Sequence, residues 1–137
     1  MFETSLLLLE GLPAFLIFLV AAIVLLLLFI GIYTWLTPHN EFELIRANNT
    51  AAALAFGGAL IGFALPLSSA VRNSVTLLDC VLWGLIALLV QALTFVVLRM
   101  TISELPKRIT NGEIAPAIFT ASTAITVGLI NASCMTY

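Results

Sequence analysis

Residues 48–70, NNTAAALAFGGALIGFALPLSSA, read as a membrane-spanning helix built mostly from Ala, Gly and Ser. The apolar run before it, between Ala14 and Leu36, is packed instead with Leu, Ile and Phe. Gly, Ala and Ser fill twelve of the twenty positions from 51 to 70 but four of the twenty-three from 14 to 36. Lipid tails are as apolar as Leu, so helices in a bilayer associate by close backbone approach, which small residues four apart permit. Gly58 and Gly62 make such a pair, Ala51–Ala55–Ala59 a second row, and Thr120–Ala124–Gly128–Ala132 a third near the end of the chain. These rows predict that the second and fourth spans form the inner contact, with the Leu-rich first and third spans outside against lipid.

The composition agrees with a bilayer setting. Of 137 residues, 62% are hydrophobic and 9% charged, and the mean hydropathy is +1.19; soluble domains carry roughly 25% charged residues. This is the profile of an integral membrane protein. A net charge of −2 offers no basic field for nucleic acid. No Lys or Arg precedes the first apolar run, which is longer than a signal-peptide core and lacks a clear cleavage site, so it is expected to be retained.

Four stretches, Ala14–Leu36, Ala51–Ala70, Leu78–Met100 and Ile114–Cys134, each approach the ~20 residues that cross about 30 Å of hydrocarbon as a helix. Backbone groups in lipid must pair internally, and these runs lack the period-two alternation of barrel strands. The expected fold is an all-α membrane bundle of four transmembrane helices.

Polar segments 37–49 and 101–113 flank a short one at 71–76. A shift of 64 residues lays Ala51 on Ala115, Ala53 on Ala117, Ile61 on Ile125, Leu65 on Leu129 and Ser69 on Ser133. The same shift superposes a Leu-rich span, a polar loop and a small-residue span on another such set. We therefore expect a tandem duplication, 1–71 and 72–137, of one helix-loop-helix unit. Arg46, Arg99, Lys107 and Arg108 lie in or beside the two longer polar loops, against Arg72 on the other side. By the positive-inside rule both polar loops are cytoplasmic and both termini outside, so the two copies run parallel.

Polar residues within the spans are few. Pro66 removes a backbone donor from the second span and leaves the carbonyl near Gly62 without its usual partner; it reads as a simple bend or as a hinge. Gln91 reads as interhelical hydrogen-bond glue or as pathway lining. Asn131, with Thr120, Ser122, Thr123 and Thr126, either faces a wet crevice or, for the hydroxyls, bonds its own helix carbonyls. Glu10 and Asp79 lie near the outer ends of their spans, and Arg72 is close enough in sequence to pair with Asp79. Asn40, three residues before Glu43, is expected to cap a short surface helix. Leu105, Pro106, Lys107 and Arg108 are its counterpart, with a helix break. Arg46, Lys107 and Arg108 form either a collar at the membrane surface or a docking site for a cytoplasmic partner or anionic headgroups. His39 stands alone, Cys80 and Cys134 lack metal-type spacing and are expected to be free, and no nucleophile or phosphate-loop motif is present. No metal, cofactor or enzymatic activity is expected.

The segments ELIRANNTAAALAFGGALIGFALPLSSA (43–70), LLDCVLWGLIALLVQALTF (77–95) and NGEIAPAIFTASTAITVGLINASCMT (111–136) resemble the bacterial inner-membrane family catalogued as domain of unknown function number three-fifty. The resemblance covers nearly the whole chain. It implies two tandem two-span copies, each with an Asn- or Gly-containing turn before an Ala-rich helix. Asn48–Asn49 and Asn111–Gly112–Glu113 stand at those turns, and Pro116 replaces an expected small residue. The resemblance implies a bacterial inner-membrane location and a membrane-stress coat protein as partner, but no activity. Two functions follow as expectations. One is a non-enzymatic, homo-oligomeric scaffold linked to envelope stress; the other is a small channel or transporter lined by Gln91, Thr120, Thr123 and Asn131.

Overall fold

The computed structural model describes residues 2–37 and 40–135; His39 lies outside them. The described residues fold into six helices: α1 (Phe2–Leu36), α2 (Glu41–Arg46), α3 (Thr50–Asn73), α4 (Leu77–Thr101), α5 (Leu105–Thr110) and α6 (Ile114–Cys134). The four long ones are apolar and long enough to cross a membrane.

Local chemistry explains most of the boundaries. Asn40 Oδ1 accepts the Glu43 N–H at 3.2 Å to start α2, and Asn49 Oδ1 accepts the Ala52 N–H at 3.0 Å to start α3. Thr76 caps α4 through the Asp79 N–H. Each such cap satisfies a donor that the first helical turn leaves without a partner. The short helices both end in a tight turn closed by a left-handed residue. After α2, Asn48 (φ 66°) donates to Ile45 O and Asn49 N to Leu44 O. After α5, Gly112 (φ 83°) donates to Ile109 O and Glu113 N to Arg108 O, the same paired pattern.

Two boundaries differ from the reading of the sequence. Helix α1 runs 35 residues, from Phe2 and not Ala14, and at 1.5 Å per residue is about 52 Å long. Glu10, Gly11 and Pro13 look like punctuation, but one Pro removes one hydrogen bond and the flanking Leu run carries the helix through it. At the other site, Pro106 does not break the chain. It occupies the first turn of α5, where its missing N–H has no helical acceptor to lose.

Helix α3 is the centre of the bundle and touches every other helix. More than half of its most apolar stretch is buried, against about a tenth for α1. Helix α3 is the most buried of the four, although Leu54 and Ile61 remain exposed along one side; α6 lays one face on it and exposes Ile118, Phe119, Leu129 and Ile130 on the other. The expected contact between the two small-residue helices is present, but α6 is no more buried than α4, so one most-buried helix with three around it stands in place of the expected inner and outer pairs. On one side of α3, Phe29 of α1 stacks on Phe63 at 4.7 Å between ring centres, and Tyr33 meets Phe56 and Phe95. On the other side, α6 approaches too closely for side chains.

Candidate functional site

The α3–α6 seam is set by glycine. A β-carbon on Gly58 would overlap Ala121, one on Gly62 would overlap the Ala124 backbone, and one on Gly128 would overlap the Gly62 carbonyl. Ala51, Ala55, Ala59 and Ala124 are buried, and Ala132 is half-buried near the C-terminal end of α6. Backbone meets backbone here, which leaves no room for solvent between the two helices at the level of Gly62. The small residues are therefore spent within one chain.

Gln91 of α4, only 3% exposed, reaches this seam. Its Nε2 donates to Gly62 O at 3.0 Å and to Ala124 O at 3.2 Å, so one amide joins three helices. Gly62 O is the carbonyl that Pro66 deprives of an N–H donor. Farther out, Ser69 Oγ donates to Ala132 O at 3.3 Å and Asn73 Nδ2 to Ser69 O at 2.9 Å. Asn131 is half-buried beside them, and its Nδ2 has no hydrogen-bond partner.

Thr120, at 1% exposure, lies on the same α6 face, and Thr123 faces a lateral groove with Phe119 and Val127. The groove, of about 440 Å3, runs between α4 and α6 and is almost wholly apolar. The four polar residues expected to gather along one path are therefore divided. Gln91 and Thr120 share an interior cavity, Thr123 faces outward, and Asn131 lies at the far end.

At the loop end, the two polar segments are fastened together. Asn49 Nδ2 donates to Thr110 O at 3.0 Å and to Ile109 O at 3.4 Å, while its Oδ1 caps α3. Arg99 donates from Nη1 to Leu36 O at 2.8 Å, tying the end of α4 to the end of α1. Leu105 and Ile109 are buried under α5 against Ala51, Ala52 and Ala117. Glu41, 1% exposed, is tucked beneath α2. Neither the Asn49 bridge nor the burial of Glu41 was foreseen from the sequence; both depend on partners about sixty residues away or on tertiary packing.

The basic residues differ in availability. Arg46 and Lys107 are exposed, whereas Arg108 pairs with Glu113 through Nε at 3.1 Å. Arg72 and Asp79 form no ion pair. Each instead sits where a helix end favours its charge, Arg72 in the last turn of α3 and Asp79 in the first turn of α4. Cys80 is buried, Cys134 is exposed, and both are free thiols. Among the described residues no three His, Cys, Asp or Glu side chains come together as metal ligands.

Comparison with known proteins follows the same outline. The UPF0719 inner membrane protein YjfL of Escherichia coli K12 is 42% identical over 129 residues, which are 94% of this chain and 98% of that protein. The protein of the same name from Escherichia coli O157:H7 matches equally. No solved structure matches. The model of the family described as Domain of Unknown Function (DUF350) covers residues 7–135, and with a relative of nearly equal length beside it, the chain belongs to the DUF350 family.

Proposed function

We propose that the chain is a non-enzymatic docking scaffold of the bacterial inner membrane, with its two polar loops forming one cytoplasmic platform. The observation that carries this reading is the Asn49 bridge, which locks the turn after α2 to the end of α5. A surface ordered before its partner arrives loses less entropy on binding. Arg46 and Lys107 are the exposed cations of that platform, interspersed with Glu43 and Glu104. The mixed charge favours a protein partner of patterned charge, a peripheral coat protein of the membrane-stress kind, over a simple anionic lipid surface.

The cytoplasmic placement rests on four of five basic residues lying on that side. A parallel duplication gives both loops the same placement. Its support is regular spacing: Glu41 and Leu105 begin the short helices, Thr50 and Ile114 the small-residue helices, and Asn48 and Gly112 close the turns, each pair 64 residues apart. Self-association, where it occurs, uses the outward faces of α1, α4 and α6, because the glycine seam is already filled by the chain itself. The channel reading has less support, since its four polar residues do not line one route.

Affinity capture from native membranes tests the docking reading. The expected result is a peripheral protein retained by the wild type and lost from the Arg46→Glu, Lys107→Glu double variant. Equal retention by both would remove the basis for placing the contact on these loops.

A further inference from the structure

Six hydroxyls in this bundle share one pattern. Thr37, Thr94, Thr101, Thr110, Thr126 and Ser133 each donate to the carbonyl four residues back in their own helix or turn, which satisfies them without a partner. Thr120 departs from it. It is 1% exposed, more deeply buried than any of those six, and its Oγ1 makes no hydrogen bond. A buried hydroxyl without a partner is costly, so its surroundings should offer one.

Thr120 lines a small interior cavity with Gln91, Thr94, Phe29, Tyr33 and Leu98. The cavity offers about 10 Å3 to the centre of a water-sized sphere, which is about the space one water needs. Gln91 uses both hydrogens of its amide nitrogen on Gly62 O and Ala124 O, so its Oε1 remains as an acceptor. Thr94 spends its proton on Val90 O and keeps oxygen lone pairs. One donor and two acceptors thus border a space of one molecule, and the other lining residues are Phe29, Tyr33, Ala59, Phe95, Leu98 and Ala124.

We propose that this cavity is an internal hydration site that binds a single water molecule, accepting from Thr120 and donating to Gln91 and Thr94, so that the water joins α6 to α4. A cation is the wrong occupant, because three neutral oxygens and a wall of Phe29 and Leu98 cannot replace its hydration shell. The inference stands apart from the docking reading, since the cavity is interior and shares no residue with the loop platform.

Substitution at Thr120 gives opposite signs for a wet and a dry cavity. With water bound, Thr120→Val in the purified full chain lowers the unfolding temperature and Thr120→Ser lowers it less, while Thr126→Val, at an exposed hydroxyl bonded to its own helix, shifts it little. An unpartnered hydroxyl in a dry cavity predicts that Thr120→Val leaves the temperature unchanged or raises it, and either result would overturn the proposal. Stabilisation of the wild type by sodium or potassium over choline, abolished in Thr120→Val, would also overturn it by identifying a cation. Should the variants fail to fold, a crystal structure of the wild type decides. A solvent peak within hydrogen-bond distance of Thr120 Oγ1 supports the site; an empty cavity, or Thr120 turned onto its own helix carbonyl, refutes it.

Discussion

Gln91 supplies to Gly62 the hydrogen bond that Pro66 takes away. Pro66 has no N–H, so Gly62 O, four residues earlier on α3, loses its helical donor, and Gln91 Nε2 on α4 occupies the position at 3.0 Å. The same amide reaches Ala124 O of α6. The proline and the glutamine are therefore two halves of one device, in which a defect in one helix becomes a joint among three.

The relationship predicts a coupling. Gln91→Leu should cost about 1 kcal/mol, the scale of interhelical hydrogen bonds in membranes. In a Pro66→Ala background, where the Gly62 carbonyl regains a backbone donor, the same change should cost measurably less. Unfolding of the four chains in mixed micelles gives the double-mutant cycle; equal costs in both backgrounds would show that the two residues act independently.

The glycine seam predicts a steep asymmetry. Gly62→Ala or Gly128→Ala forces a methyl group into a backbone contact, and overpacking of this kind costs about 1–3 kcal/mol. Leu27→Ala removes more atoms from a side chain that is 60% exposed on α1 and should change stability little. Resistance to detergent-induced unfolding checks the order. Comparable losses at all three positions would mean that α3 and α6 do not meet as described.

Much of this arrangement was legible because its causes are local. Apolar length marked the spans, and Asn40 announced the start of α2 by its side-chain chemistry. The Ala and Gly rows of α3 and α6 marked the helix faces that pack closest. What could not be read is the product of tertiary geometry. Nothing near Asn49 in sequence points to Thr110, and nothing near Glu41 indicates burial. Small residues also reveal which faces approach closely but not how many neighbours a helix has, so α6 passed for an inner helix although its other face is bare. The start of α1 was missed for another reason: Pro13 is tolerated in a run whose other residues favour helix.

The two roles of Asn49 can be separated. Asn49→Asp keeps the oxygen that caps α3 but removes the amide donor that holds Ile109 and Thr110, whereas Asn49→Ala loses both. Loss of a cap alone costs about 0.5–2 kcal/mol. Asn49→Asp is therefore expected to leave α3 intact while amides around residues 109–113 exchange faster with solvent. Hydrogen exchange read by mass spectrometry tests this, and unchanged protection across α5 in that variant would show that the bridge does not order the platform.

Orientation is the remaining prediction, and it rests on charge alone. Ser103 lies in the turn between α4 and α5 and is exposed, so Ser103→Cys places a reactive thiol on the loop side without disturbing the core. The background must lack Cys134, which is exposed toward the opposite end of the bundle, and Cys80, which is buried, so that the new thiol is the one read. With the loops cytoplasmic, an impermeant thiol reagent should leave Ser103→Cys unmodified in intact cells and label it after lysis. In a chain that keeps Cys134 and lacks Ser103→Cys, the pattern should reverse, with labelling before lysis. Labelling of Ser103→Cys in intact cells would place Arg46, Lys107 and the platform outside, against the bias of four basic residues to one, and would move the proposed partner to that side of the membrane.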